Sequence, residues 1–287
     1  MARSARSSFT SIVEVYPPVF SVSEAKEPVL GLRQKVRDFI ERVRRVQNLA
    51  DEVLVADVKD ASRMKMSTVV SASLLKEETG IEAIPVITAR DSNRPTVISS
   101  LLTAFSLGLT GVMLVWGDRF GEGEGAKNVY DFSSLSELVA ATRSLANRAG
   151  VRCRILAPVD LTALGTQKGL ELAKGRLASG ADLLLAQPPT TDSISALPRH
   201  AKLVSGAGLA GRVLLNVFPF RDAKDIEACR AKFGWKLPRR LDSIASGGER
   251  AMLSEAKRVA AAIQRRGFPG LYVTTRGRPE VARFILD

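Results

Sequence analysis

Eight times along the chain a short run of apolar, β-branched residues gives way to a longer segment with apolar positions at helical spacing. No other feature constrains the fold as much. The short runs lie at 9–15, 52–58, 81–88, 111–115, 152–159, 182–187, 212–218 and 270–275. Helical segments follow at about 32–46, 62–78, 95–107, 134–149, 166–178, 193–204, 223–233 with 249–265, and 279–286. In the first of them Leu32, Val36, Phe39, Val43 and Val46 recur at steps of three and four, the stripe of an amphipathic helix. Some runs are apolar at consecutive positions, as in Val112-Met113-Leu114-Val115 and Leu183-Leu184-Leu185, which suits parallel strands covered on both faces. Repeated strand–helix–strand units require right-handed crossovers, and eight of them close into a ring. The predicted fold is therefore α/β, a single (β/α)8 TIM barrel over residues 1–287, with residues 1–8 as a flexible N-terminus. An open doubly wound sheet is the competing arrangement, but no GxGxxG follows the first run.

With 287 residues, 45% of them hydrophobic, the chain can bury a large core. Its formal charge is +12. The densest basic spots, Arg42-Arg44-Arg45, Arg239-Arg240 and Arg265-Arg266, fall on or beside helical segments and read as solvated faces. On that reading neither nucleic acid nor a membrane is a partner. Two cysteines without a CxxC, and the single His200 on what reads as a helix surface, argue against a metal centre and against a Ser-His-Asp triad. The cysteine usage suits a cytoplasmic protein. No apolar run reaches the length of a membrane span, and residues 1–8 lack the apolar core of a signal peptide.

Barrel enzymes work where their strands end. The polar residues there are Glu14, Asp57, Thr88 with Arg90, Asp118, Asp160, Gln187, Arg221, and Thr274 with Arg276. Glu14 stands between Val13 and Val15, where partial desolvation would raise its pKa and suit it to proton donation. A barrel-lining carboxylate paired with an arginine is the alternative. Asp118 follows Gly117 and could place a negative charge beside an electron-poor ring, or be an ordinary turn. The glycine-rich stretch 121–125 lacks the Lys-Ser/Thr of a P-loop and reads as a flexible loop.

Taken together, these segments resemble the methylenetetrahydrofolate reductase family from Glu14 to Leu286. Val13-Glu14-Val15-Tyr16-Pro17-Pro18 is similar to the family's strand-end glutamate before paired prolines. The stretch 84–94, Ile-Pro-Val-Ile-Thr-Ala-Arg-Asp-Ser-Asn-Arg, is similar to its Pro-His-Leu-Thr-Cys-Arg-Asp segment. The run into Gly117-Asp118, the Tyr130-Asp131 stretch, and Arg176 followed by Gln187 match in order and spacing. Val86 departs from the family's usual His, and Trp116 from its usual Arg or Thr.

The resemblance implies a flavoprotein of one-carbon metabolism and methionine biosynthesis. It would reduce 5,10-methylenetetrahydrofolate, or a related methylene-tetrahydropterin, to the methyl form. FAD, or FMN, would be the cofactor, and NADH or NADPH the hydride donor. Glu14 would protonate the leaving nitrogen, and Asp118 would act with it as the second catalytic residue. Thr88, Trp116, Gly117, Asp118, Tyr130, Asp131 and Arg176 would hold the flavin. Gln187, Phe218 and Tyr272 would hold the pterin. A homo-oligomer is implied, and any iron–sulfur function would need a partner subunit. A flavin-free reductase, or a barrel subunit without catalysis of its own, is the alternative.

Overall fold

The computed structural model describes residues 9–21, 29–57, 63–122, 127–187, 197–235, 237 and 239–287. Eight strands close into a parallel barrel: β1 (Thr10–Val15), β3 (Glu52–Val55), β5 (Glu82–Thr88), β6 (Gly111–Val115), β7 (Arg154–Asp160), β8 (Leu183–Gln187), β9 (Val213–Val217) and β10 (Gly270–Val273). Each pairs with the next in chain order, and β10 returns to β1 with Ile12 opposite Tyr272. The outer helices are α1 (Val29–Arg44), α2 (Thr68–Thr79), α3 (Arg94–Ser106), α4 (Leu135–Arg148), α5 (Gln167–Ala178), α6 (Leu197–Gly206), α9 (Gly248–Arg265) and α10 (Val281–Leu286). The (β/α)8 barrel expected from the alternation is the fold observed.

Strand alternation sorts the core into two layers. Ile12, Leu54, Ile84, Val86, Met113, Leu156, Leu185, Leu214 and Tyr272 fill the barrel interior. Their sequence neighbours, such as Val13, Val53, Val112, Ile155 and Leu184, face outward and pack under the helices. Burying one such aliphatic side chain stabilises the fold by roughly 1.5–3 kcal/mol. A third cluster, from Phe218 and Phe220 to Met252, lies beyond β9, where α7 (Ala223–Phe233) and α8 (Arg240–Ala245) precede α9.

The structure differs from the sequence expectation at several elements. The helix expected at 62–78 starts only at Thr68, because the Ser67 side chain caps it by accepting from Val70 N. Ahead of it β4 (Arg63–Lys65) pairs antiparallel with β2 (Val19–Ser21), a ribbon the sequence reading did not contain. Helix α8 was not expected either. His200, read as surface, is half-buried, and burial pushes its pKa down to about 4. Residues 1–8, 193–196 and the 123–125 part of the glycine-rich loop lie outside the described residues.

The basic spots at Arg42, Arg44 and Arg45, at Arg239 and Arg240, and at Arg265 and Arg266 are exposed. Among the described residues no helix is long and apolar enough to cross a membrane.

Asn93 caps α3, accepting from Thr96 N at 3.0 Å and from the Thr96 hydroxyl at 2.7 Å. Asn93→Ala should lower stability by about 1 kcal/mol, read as a shift in the denaturant midpoint with unchanged slope.

Candidate active site

The same alternation fixes what lines the mouth. Two residues beyond each interior position, on the same face, stand Glu14, Ala56, Thr88, Val115, Pro158, Gln187, Asn216 and Thr274. These eight positions form a ring at the C-terminal ends of the strands, where barrel sites lie. Three of them, Ala56, Val115 and Pro158, are small and apolar, and the other five carry one carboxyl, one carboxamide from each of two strands, and two hydroxyls.

Glu14 is the only ionisable member of this ring. It is 8% exposed. Tyr272 donates its hydroxyl to Glu14 Oε2 at 2.5 Å, and the Arg276 backbone N–H donates to Oε1 at 3.0 Å. The Thr275 hydroxyl donates to the Glu14 carbonyl at 2.7 Å. Burial pushes the carboxyl above the usual carboxylate range, and these hydrogen bonds offset part of the rise. Burial beside Glu14 likewise raises the phenols of Tyr272 and Tyr16, so both stay protonated. Thr274 completes the network by donating to Asn216 Oδ1 at 3.1 Å.

Arg276 holds its backbone in the left-handed region, with φ +56°, which costs a non-glycine residue on the order of 1–3 kcal/mol. Its guanidinium is bonded to Asp225, whose side chain is 1% exposed.

A second polar cluster sits across the β3–β5 edge. Asp57 accepts from the Thr88 hydroxyl and is ion-paired with Lys65. Arg90 lies 3.6 Å from the same carboxylate, donates to the Asp118 carbonyl at 3.1 Å and covers the Phe120 ring at 4.4 Å. Burial lowers the pKa of Lys65. Asp57 and Arg90 appear in the sequence as strand-end residues without a role. Lys65 was hidden inside the expected helix, although Arg63-Met64-Lys65-Met66 alternates with the period of a strand.

Gly117 has φ +84° and leaves no room for a side chain. A Cβ there would come within 2.5 Å of Thr88 Cγ2 and 2.8 Å of Arg90 Cβ. Asp118 projects from this turn and is exposed. Trp116 belongs to the outward face of β6. Its ring stacks on Tyr130 with centroids 4.8 Å apart and planes 12° from parallel, and the Tyr130 hydroxyl donates to the Gly117 carbonyl at 3.1 Å.

The residues expected in the site are therefore brought together unevenly. Glu14, Thr88, Gln187 and Tyr272 line the barrel interior and its mouth, and Gly117 and Asp118 edge it. Phe218 follows β9 and packs against Phe220, Trp235 and the Arg276 guanidinium. Trp116 and Tyr130 form a pair just outside the ring. Asp131 instead accepts from Arg94 N at 2.8 Å at the start of α3. Arg176 lies in the last turn of α5, toward the start of β8, and its guanidinium is bonded to the Pro158 carbonyl. Among the described residues no group of three or more His, Cys, Asp or Glu could hold a metal ion.

The sequence profile described as methylenetetrahydrofolate reductase matches residues 30–259. The chain belongs to the methylenetetrahydrofolate reductase family. The matched span leaves out β1 and β10, so Glu14 and Tyr272 rest on their geometry rather than on the profile. Among curated proteins none matches the chain.

Solved structures share the fold at low identity. A Clostridium thermocellum protein described as binding two copies of 5-methyl-5,6,7,8-tetrahydrofolic acid superposes with a TM-score of 0.61 at 10% identity, covering 96% of this chain and 94% of that one. Oxaloacetate acetylhydrolase with oxalate gives 0.54 at 14% identity, covering 93% and 75%. A 2,3-dimethylmalate lyase gives 0.51 at 13%, covering 96% and 79%.

The family is generally flavin-dependent. The floor of the mouth suits a flat heteroaromatic ring: Ala56, Val115 and Pro158 offer small apolar contacts, while Thr88, Gln187 and Asn216 offer hydroxyl and amide groups.

Proposed function

We propose that this member of the methylenetetrahydrofolate reductase family reduces 5,10-methylenetetrahydrofolate, or a related methylene-tetrahydropterin, to the 5-methyl form with hydride from a reduced nicotinamide. The observation that carries the reading is Glu14, one buried carboxyl at the barrel mouth with its pKa raised and its geometry fixed by two donors. The Clostridium thermocellum protein of the same fold, described as holding the methyl product, supports the substrate class.

A flavin at the mouth would be held by Thr88, Gly117 and Asp118, with the Trp116–Tyr130 pair at its edge. When bound it supplies hydride transfer between the nicotinamide and the pterin carbon. The protein's own residues do the rest. Gln187 offers its carboxamide to the pterin ring, and Phe218 gives the ring an apolar wall. Glu14 holds a proton next to the nitrogen that must leave the methylene bridge, and transfers it as that bond breaks. Tyr272 and the Arg276 amide keep the carboxyl pointed at the mouth and bind its anion afterwards. Asp118, exposed at the rim, places negative charge beside the cationic pterin that ring opening produces. Tetrahydrofolate and methanopterin-type substrates would both meet this chemistry.

Purified protein should carry an absorbance band near the usual flavin position, about 450 nm, and oxidise NADH or NADPH on addition of methylenetetrahydrofolate. Arg176→Ala should leave flavin retention unchanged, because the guanidinium already serves the Pro158 carbonyl from the helix layer outside the barrel. Titration of apo-protein with FAD measures it. A loss of about tenfold or more in affinity, the scale of a charge-assisted hydrogen bond, would return Arg176 to the cofactor site.

A second reading has the nicotinamide deliver hydride directly. Two observations favour it: Thr88 gives its hydroxyl to Asp57, and the Trp116 ring lies outside the mouth. Activity in protein that is colourless, and that does not quench added FAD or FMN fluorescence, selects this reading.

A further inference from the structure

We propose that Asp225 and Arg276 form a latch that positions the Glu14 carboxyl, so that a buried side chain at the start of α7 controls the acid of the reaction without touching substrate. The proposal rests on the reading of Glu14 as proton donor.

The latch has three links. Asp225 sits in the first turn of α7, fixed by its own N–H on Asp222 Oδ1 at 2.8 Å. Its carboxylate accepts from the Arg221 N–H at 3.1 Å and takes the Arg276 guanidinium as its main partner. Burial alone would raise this carboxyl, but the bonds from Arg276 and Arg221 outweigh it and hold Asp225 below the usual range, so it stays charged. Arg276 is thereby tied down across the Phe218 ring, 5.5 Å from its centroid.

The third link is the backbone. Arg276 and Gly277 are consecutive left-handed residues, φ +56° and +80°, in the turn after β10. A non-glycine residue keeps that conformation only where its surroundings enforce it. The enforced geometry aims the Arg276 N–H at Glu14 Oε1, 3.0 Å away. Without the side-chain anchor the turn can relax to negative φ, and the N–H leaves the carboxyl. The charged and titratable groups that face Glu14 are Tyr272 from β10, Tyr16 from the end of its own strand, and Arg276 from this turn. Asp57, one strand away, is occupied with Lys65 and Thr88.

Asp225→Asn tests the latch, because the two effects it can have carry opposite signs. Freeing the Arg276 charge would, by electrostatics alone, lower the pKa of Glu14. Losing the N–H from Oε1 raises it. The readout is the carboxyl infrared band titrated in wild type, with Glu14→Gln as the subtracted reference. The latch predicts that the midpoint rises by about one pH unit, the size of one hydrogen bond to a charged group. Reductase turnover at low pH should fall about tenfold as the carboxyl loses its fixed direction. Arg276→Lys, which keeps both the pair and the backbone, should hold the midpoint at the wild-type value.

An unmoved or lowered midpoint in Asp225→Asn, with only a lower melting temperature, overturns the proposal. Should that variant not fold, Arg276→Gln and Arg276→Gly at this one-third-exposed side chain replace it: both remove the charge, but glycine keeps the left-handed turn and its N–H, so a midpoint higher in Arg276→Gln than in Arg276→Gly supports the latch and equal midpoints reject it. Wild-type protein inactive on methylene-tetrahydropterins would overturn the reductase reading alone, since the infrared titration still decides the latch.

Discussion

Glu14→Gln should abolish most reductase activity, by roughly 10²-fold or more in kcat, while leaving the hydride-accepting half of the reaction intact. The carboxamide keeps the size of the side chain and can still accept from Tyr272 or the Arg276 amide. It cannot give up a proton to the departing nitrogen. The decisive comparison is between steady-state turnover and the separate oxidation of the nicotinamide: a general acid loses the first and spares the second, whereas a merely structural carboxyl would lose both together.

Stability gives a second, independent readout of the same variant. The folded pKa of Glu14 lies above its unfolded value, because burial disfavours the charged form. The associated stability is therefore fully present below the unfolded pKa and is lost as pH rises through the folded one. Glu14→Gln removes that loss. The variant should be no less stable than wild type near pH 8, and less favoured relative to it near pH 4, in thermal melts at the two pH values. An inactive protein that melts higher at alkaline pH marks a site held at some expense of stability for the sake of its chemistry.

Gly117→Ala should damage the fold and the mouth together, by about 3–5 kcal/mol, since it combines a left-handed backbone with a steric collision. The added methyl would meet Thr88 Cγ2 at 2.5 Å and Arg90 Cβ at 2.8 Å. Neither neighbour is free to give way: Thr88 is hydrogen-bonded to Asp57, and Arg90 is pinned by the Asp118 carbonyl and the Phe120 ring. Gly108→Ala is the matching control. It has φ +69° but nothing within 4 Å of the added Cβ, so it should cost only about 1 kcal/mol, the backbone part alone. If the two variants show equal denaturant midpoints, the crowding at Gly117 is not what demands a glycine there.

The alternation of short apolar runs and helical segments carried the barrel, because both faces of each strand are covered and the period changes sharply at every junction. Glu14 was legible for the same reason: a carboxylate between Val13 and Val15 near a strand end has few harmless places to go. Less legible was everything that depends on which face a residue takes after its strand stops. Trp116 reads as a mouth residue by its position before Gly117-Asp118, yet one step of the pleat turns it outward onto Tyr130. Arg176 is a flavin contact by the resemblance, but it sits in the last turn of α5, outside the barrel, and its guanidinium is taken by the Pro158 carbonyl. Asp225 and the Arg276 turn escaped because the partners that matter are 51 and 262 residues apart in sequence, and local pattern holds no record of such pairs; Lys65 escaped because it fell inside the expected helix. The β2–β4 ribbon was missed because each of its strands is only three residues long.

The Glu14–Tyr272 hydrogen bond joins residues 258 positions apart. It lies on the seam where the first strand meets the last, the pairing with the greatest loop-closure entropy in the molecule. A chain emerging from the ribosome cannot assemble its acid until the final strand arrives, although most of the barrel wall is already synthesised by then. Until that moment Glu14 lacks its Tyr272 and Arg276 partners. On the reading of Glu14 as the acid, the last long-range contact to form also completes the donor, and an incompletely closed barrel, however much of its secondary structure is in place, lacks the Tyr272 partner that holds it.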